Sequence, residues 1–161
     1  MVGFMSKALA HNLYTYGRSH ALAADRLYRA AIEDGREKNL DDPESFAFNG
    51  PYSLSIYYLP CLGLELLLKA AYLVLGGPNE NKELLRIGHD LNEALGKAEE
   101  RGFRSNAPNL REIVDLLCEP YKAHNFRYDM PDELPLPDFM QMVEALQVLD
   151  DELKALCEDD S

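Results

Sequence analysis

The chain has 161 residues, 47% of them hydrophobic and 27% charged, which fits one globular domain with a real core. Its formal net charge is -12, from 28 acidic against 16 basic residues. That sign excludes strong nonspecific binding to duplex DNA or to an anionic membrane, since both need a positive surface.

The first predicted helix covers Ser6 to about Asp34, where Leu9, Leu13, Tyr16, His20, Ala23, Leu27 and Ala30 recur every three or four residues and Gly35 supplies a stop. Arg36 to Pro51 reads as a loop punctuated by Asp41-Asp42-Pro43 and Asn49-Gly50-Pro51, with Phe46 and Phe48 pinning it to the body. Pro51 suits the first turn of a second helix, which runs to Leu75 and stops at Gly76-Gly77-Pro78. Pro60 inside it predicts a kink or a later start. A third helix covers Asp90 to about Arg101, with Asp90 as N-cap, Glu93 completing a capping box and Gly102 as its end. A helical turn around Lys82 to Ile87 is expected before it. Pro108 opens a fourth helix with Leu110, Ile113, Val114, Leu117 and Tyr121 inward, and Pro120 near its end. Met130 to Pro137 is a proline-rich connector. A fifth helix starts near Pro137 on the stripe Phe139, Met142, Val143, Leu146, Leu149, Leu153, Leu156, and residues 158–161 form a frayed acidic tail. No strand pair is expected. The fold class is all-α: a single-domain, up-and-down bundle of about five helices spanning residues 1–161.

Tyr52 to Leu75 is apolar apart from Glu65 and Lys69, which stand one helical turn apart with the acid first. Its longest uncharged run, Tyr52 to Leu64, has 13 residues, short of a membrane span, so it reads as a core helix. Charges inside such a helix must be paired or functional. A surface salt bridge with snorkelling stems and a polar pair facing a cleft weigh about equally. The N-terminus MVGFMSKALAHN lacks a basic start, an unbroken apolar core and a cleavage site, so no secretory signal is expected. Cys61, Cys118 and Cys157 form no CxxC and are expected as reduced thiols of a cytoplasmic protein. No Cys/His cluster has zinc-ligand spacing, and neither a metal nor a cofactor is expected.

Two further segments hold polar chemistry. Arg86 to Leu91 places His89 between the Gly88 turn and the Asp90 cap, where it either bonds across to another helix or serves a site. Tyr121 to Tyr128 gathers Tyr121, Lys122, His124, Asn125, Arg127 and Tyr128 into eight residues of an acidic chain. Cations among aromatics suit stacking on bases or gripping phosphate, and equally suit a helix end whose cations meet the dipole. There is no GxGxxG, GxxxxGK[ST], GxSxG or HExxH pattern.

The order LPCLGLELLLKAAYLVLGG, RIGHDLNEAL, YKAHNFRY resembles the HEPN superfamily (higher eukaryotes and prokaryotes nucleotide-binding domains) over about Leu9 to Leu156. The resemblance implies an all-α homodimer that needs no cofactor. It also implies a metal-independent ribonuclease or a regulator in prokaryotic defence or toxin–antitoxin systems, with RNA, a nucleotide or a partner protein as ligand. Family activity rests on an Arg followed after four to six positions by a His. Here the seven residues before His124 hold no Arg, and Arg127 comes after it. Ligand binding is therefore expected of Glu65, Lys69, His89, Tyr121, Lys122, His124, Asn125, Arg127 and Tyr128. His124 and Arg127 are the candidates should the chain be catalytic, and a noncatalytic interaction module is the remaining alternative.

Overall fold

The computed structural model describes residues 2–79, 81–128 and 134–158. Among them are seven α-helices and no strand: α1 (Val2–Glu37), α2 (Pro43–Asn49), α3 (Ser53–Val74), α4 (Asn81–Ile87), α5 (Leu91–Glu100), α6 (Leu110–Lys122) and α7 (Phe139–Glu158). The all-α expectation stands, but five helices become seven because two short ones lie in stretches read as loop or turn. The expected Arg36–Pro51 loop contains α2: Asp42 accepts from the Ser45 backbone N–H at 2.9 Å and Pro43 sits in the first turn, a standard helix start. Residues 134–138 are neither helix nor strand; Met130 to Glu133 and the tail beyond Glu158 lie outside the described residues.

Helix α3 is the central strut, in contact with α1, α2, α5, α6 and α7. Its length and hydropathy alone would allow a membrane span, yet the surrounding helices bury two thirds of its apolar window. It carries Ile56, Tyr57, Cys61, Leu64, Leu67, Leu68 and Leu73 into the core. Phe48 of α2 joins Tyr28, Tyr57 and Phe139 in an aromatic cluster with ring centroids 5.4–6.1 Å from its own, so the expected pinning by Phe48 is found.

The buried stripe of α1 differs from the expected one. Tyr16 is 60% exposed and Ala23 and Ala30 face solvent, while Ala10, Tyr14, Gly17, Ala24, Tyr28, Ala31 and Gly35 are buried. The cause is a close approach to α3. A Cβ on Gly17 would stand 2.9 Å from Leu67 Cγ and 3.0 Å from the Leu67 backbone nitrogen, and one on Gly63 would stand 3.2 Å from the Gly17 carbonyl oxygen. The contact face is made of small residues, which a hydrophobic pattern under-weights. Gly35 does not end the helix; it passes beneath Pro43, whose Cα would lie 3.1 Å from an added Cβ, and α1 continues to Glu37. Helix α3 begins at Ser53, two residues after Pro51, α6 begins at Leu110 after Asn109 in the left-handed region, and Leu156 is 41% exposed rather than inward.

Gly96 contrasts with Gly17: it lies within α5 and an added Cβ would meet nothing within 4 Å. Gly96→Ala is expected to raise the unfolding free energy by about 0.5–1 kcal/mol in urea denaturation, because only helix propensity changes.

Candidate functional site: a carboxylate-centred cluster

Three parts of the fold meet at Glu65: α3, the turn before α5, and α6. The residue is 5% exposed, and its carboxylate accepts from three side chains. Lys69 Nζ, one turn on, donates to Oε1 at 2.7 Å; His89 Nδ1 reaches Oε2 at 2.8 Å; the Tyr121 hydroxyl donates to Oε2 at 2.5 Å. Lys69, 8% exposed, also donates to the Gly88 carbonyl at 2.7 Å, tying α3 to the turn before α5. Gly88 makes that turn with φ +54, a conformation that costs other residues more. The Glu65–Lys69 pair is therefore buried within a network, not a salt bridge at the bundle surface.

Burial opposes the charge on Glu65, but His89, Lys69 and Tyr121 outweigh it and hold the carboxyl below the ordinary carboxylate range. Burial first, then the neighbouring carboxylate, push the Tyr121 phenol well up, so it stays a donor. An ionised Glu65 fixes the His89 tautomer: Nδ1 carries the proton and Nε2 is left to the surface, where the side chain is 43% exposed. The linkage sign follows from the lowered value: the stability Glu65 contributes is complete above the ordinary carboxylate range and is lost as pH falls through the depressed one. In urea titrations from about pH 7 to about pH 3, the stability gap between wild type and Glu65→Gln is expected to narrow as the pH drops.

Asp90 is the helix cap expected from the sequence and also joins the site. One oxygen accepts from the Glu93 N–H at 2.9 Å and from Cys118 Sγ at 3.3 Å, the other from Lys122 Nζ at 2.8 Å. Partial burial works against its charge, but Lys122 and these donors lower its pKa on balance. The reciprocal half of the capping box is absent, because the Glu93 side chain turns to Arg86 at 2.8 Å. The three cysteines are unbridged, and burial pushes the Cys61 and Cys118 thiols up.

His124 is placed by the way α6 ends. Its N–H donates to the Tyr121 carbonyl at 3.1 Å and the Asn125 N–H to the Pro120 carbonyl at 2.9 Å, the two bonds of a Schellman turn. The left-handed residue of such a turn is glycine in α3 (Gly76, φ +87) and α5 (Gly102, φ +93), but in α6 it is His124, φ +59. A histidine held there carries backbone strain, a common property of functional positions. Its ring meets His89 edge-on with centroids 5.5 Å apart and Tyr128 at 6.3 Å. His124→Gly is expected to raise the unfolding free energy by about 1 kcal/mol while weakening any ligand held by the ring.

The structure thus brings Glu65, Lys69, His89, Tyr121 and His124 into one cluster, with Lys122 attached through Asp90. Tyr128, 82% exposed, lies at its rim. Arg127 donates to the Tyr58 hydroxyl and lies over its ring at 4.9 Å, while Tyr58 packs against Tyr121 with centroids 5.9 Å apart. Asn125 contributes its backbone N–H to the turn. Tyr58 and Asp90 were absent from the expected ligand-binding set. Tyr58 had a signal: Tyr58, Leu62, Glu65 and Lys69 are spaced four, three and four apart, which is one stripe of a helix.

The cluster is an open surface above a buried hub. Cavities of about 650 and 430 Å³ lie elsewhere, the first beside Glu99, Phe103 and Arg111, the second beside Arg18, Leu22 and Asp150. Glu65 with Lys69 and Asp90 with Lys122 are neutral pairs, leaving the Arg127 charge and two histidines beside an exposed tyrosine. Among the described residues, no group of three or more His, Cys, Asp or Glu side chains is arranged to hold a metal ion. No protein-family model, curated protein or solved structure matches the chain.

Proposed function

We propose that the chain is a HEPN-like protein of the cytoplasm that binds the phosphates of RNA or of a nucleotide at the surface formed by His89, Lys122, His124 and Arg127. We place it, as a homodimer, among prokaryotic defence or toxin–antitoxin proteins. The observation that carries the binding reading is the exposed cation–aromatic rim built on the Glu65 hub in a chain of net charge -12. Open cationic surfaces with stacking rings suit a single-stranded polymer, and Tyr128 offers a ring for a base. The HEPN-like reading is supported by the meeting of the three resembling segments at one point: Glu65 and Lys69 from the first, His89 from the second, Tyr121 and His124 from the third. Fluorescence anisotropy with a labelled single-stranded RNA tests the binding. Wild type is expected to bind with a negative salt dependence, and Lys122→Ala/Arg127→Ala to lose about tenfold or more in affinity with a shallower slope. Equal binding by both proteins, or none by either, would count against it.

One observation favours a second reading, a metal-independent ribonuclease. Glu65 holds Nδ1 of His89, which leaves Nε2 as the nitrogen able to act as a base, and the His89 and His124 ring centroids stand 5.5 Å apart. Cleavage of RNA in EDTA by wild type but not by His124→Asn is the expected result under that reading; no cleavage, or equal cleavage, rejects it.

A further inference from the structure

Exposed His89 and half-buried His124 also have the arrangement of a metal site. A histidine that binds a metal through one ring nitrogen ordinarily donates the other N–H to a carboxylate, which orients the ring and raises its basicity. His89 already has that second partner: Nδ1 is held by the buried Glu65 carboxylate at 2.8 Å, and Nε2 is the nitrogen left for a ligand. Two imidazoles sharing one tetrahedral ion, at N–metal distances of about 2.0–2.1 Å, have ring centroids about 5 Å apart. His89 and His124 stand 5.5 Å apart with ring planes at 75°. His124 makes edge contacts with His89 and Tyr128, so rotation of its ring can turn a nitrogen toward the shared point while Glu65 keeps His89 fixed.

The geometry points to a binding site for one zinc-like divalent ion between His89 Nε2 and the His124 ring, with water or a phosphate oxygen in the open positions. Imidazole pairs suit zinc, copper and nickel rather than magnesium or calcium. The pairs Glu65–Lys69 and Asp90–Lys122 cancel locally, the Arg127 charge nearby is held over the Tyr58 ring, and the chain as a whole is strongly acidic. An ion there would add two positive charges to the phosphate-binding surface proposed above. Its uptake needs no nucleic acid and is measured without one.

The test is a zinc titration of the tag-free full chain by calorimetry, with cobalt absorption reporting coordination. His89→Gln keeps a donor toward Glu65, and His124→Asn keeps a residue that tolerates the left-handed turn, so both variants are expected to fold; circular dichroism checks this. The expected result is one ion per wild-type chain, with affinity reduced roughly tenfold or more in each variant and also in Glu65→Gln, whose carboxylate orients the ring. No saturable uptake at millimolar zinc overturns the site. So does wild-type affinity in either histidine variant, which would place the ion on a single ring or at His11 or His20 instead.

Discussion

Glu65→Ala lowers the unfolding free energy by about 3–5 kcal/mol in urea denaturation. The size follows from what remains behind. Lys69 is 8% exposed and loses its counter-charge, the buried Tyr121 hydroxyl loses its acceptor, and His89 loses the group that fixes its ring. A buried donor without an acceptor costs about 1–3 kcal/mol, more when charged. Glu65→Gln retains a carbonyl acceptor and the side-chain volume, so its loss is smaller. Pairing Glu65→Leu with Lys69→Met removes both charges together and restores part of the loss, because isolated buried charge is the costly species. A loss below about 1 kcal/mol for Glu65→Ala would mean that water reaches the hub and replaces its partners.

Gly17→Val destabilises by about 1–3 kcal/mol, and Gly17→Ala destabilises too, opposite in sign to the gain expected for Gly96→Ala. On an open helix surface an added Cβ is favourable. At Gly17 it would meet the Leu67 backbone nitrogen at 3.0 Å, which rotation of the Leu67 side chain does not relieve, so the α1–α3 crossing must widen. That crossing also fixes the α3 stripe bearing Tyr58, Glu65 and Lys69, so widening it displaces the hub relative to α5 and α6. Urea denaturation of both alanine variants measures the two signs.

Local features of this fold were legible in the sequence. The Asp90 cap, the inward set of α6 and the stop after α3 each depend on neighbours within a turn, and each is found. Two kinds of feature were not. Helix α2 has seven residues, too few for periodicity to register, and its signal lay in the Asp42-Pro43 start. The buried face of α1 is largely alanine and glycine, so the larger Leu9, Leu13, Tyr16 and Leu27 suggested a stripe rotated away from the true one.

The site divides similarly. Two charges in an apolar helix mark Glu65 and Lys69 as partners by spacing alone, and Tyr121 to Tyr128 stand out by composition. What joins them is long-range: His89 lies 24 residues and Tyr121 lies 56 residues from Glu65 in sequence. No local pattern encodes those bonds, which exist because α5 and α6 pack on α3. Tyr58 reads as core because its neighbours are apolar, although its spacing from Glu65 places it on the polar stripe.

The four histidines of the chain provide an internal control, with His89 and His124 in the cluster and His11 and His20 on α1. Proton NMR of the four rings during titration with a short single-stranded RNA or a nucleotide tests most directly whether the Glu65-centred cluster is a phosphate site. Saturable shifts of the His89 and His124 resonances, with His11 and His20 unmoved, are the expected result; shifts confined to His11 or His20, or none at any ring, would contradict a phosphate site at this cluster.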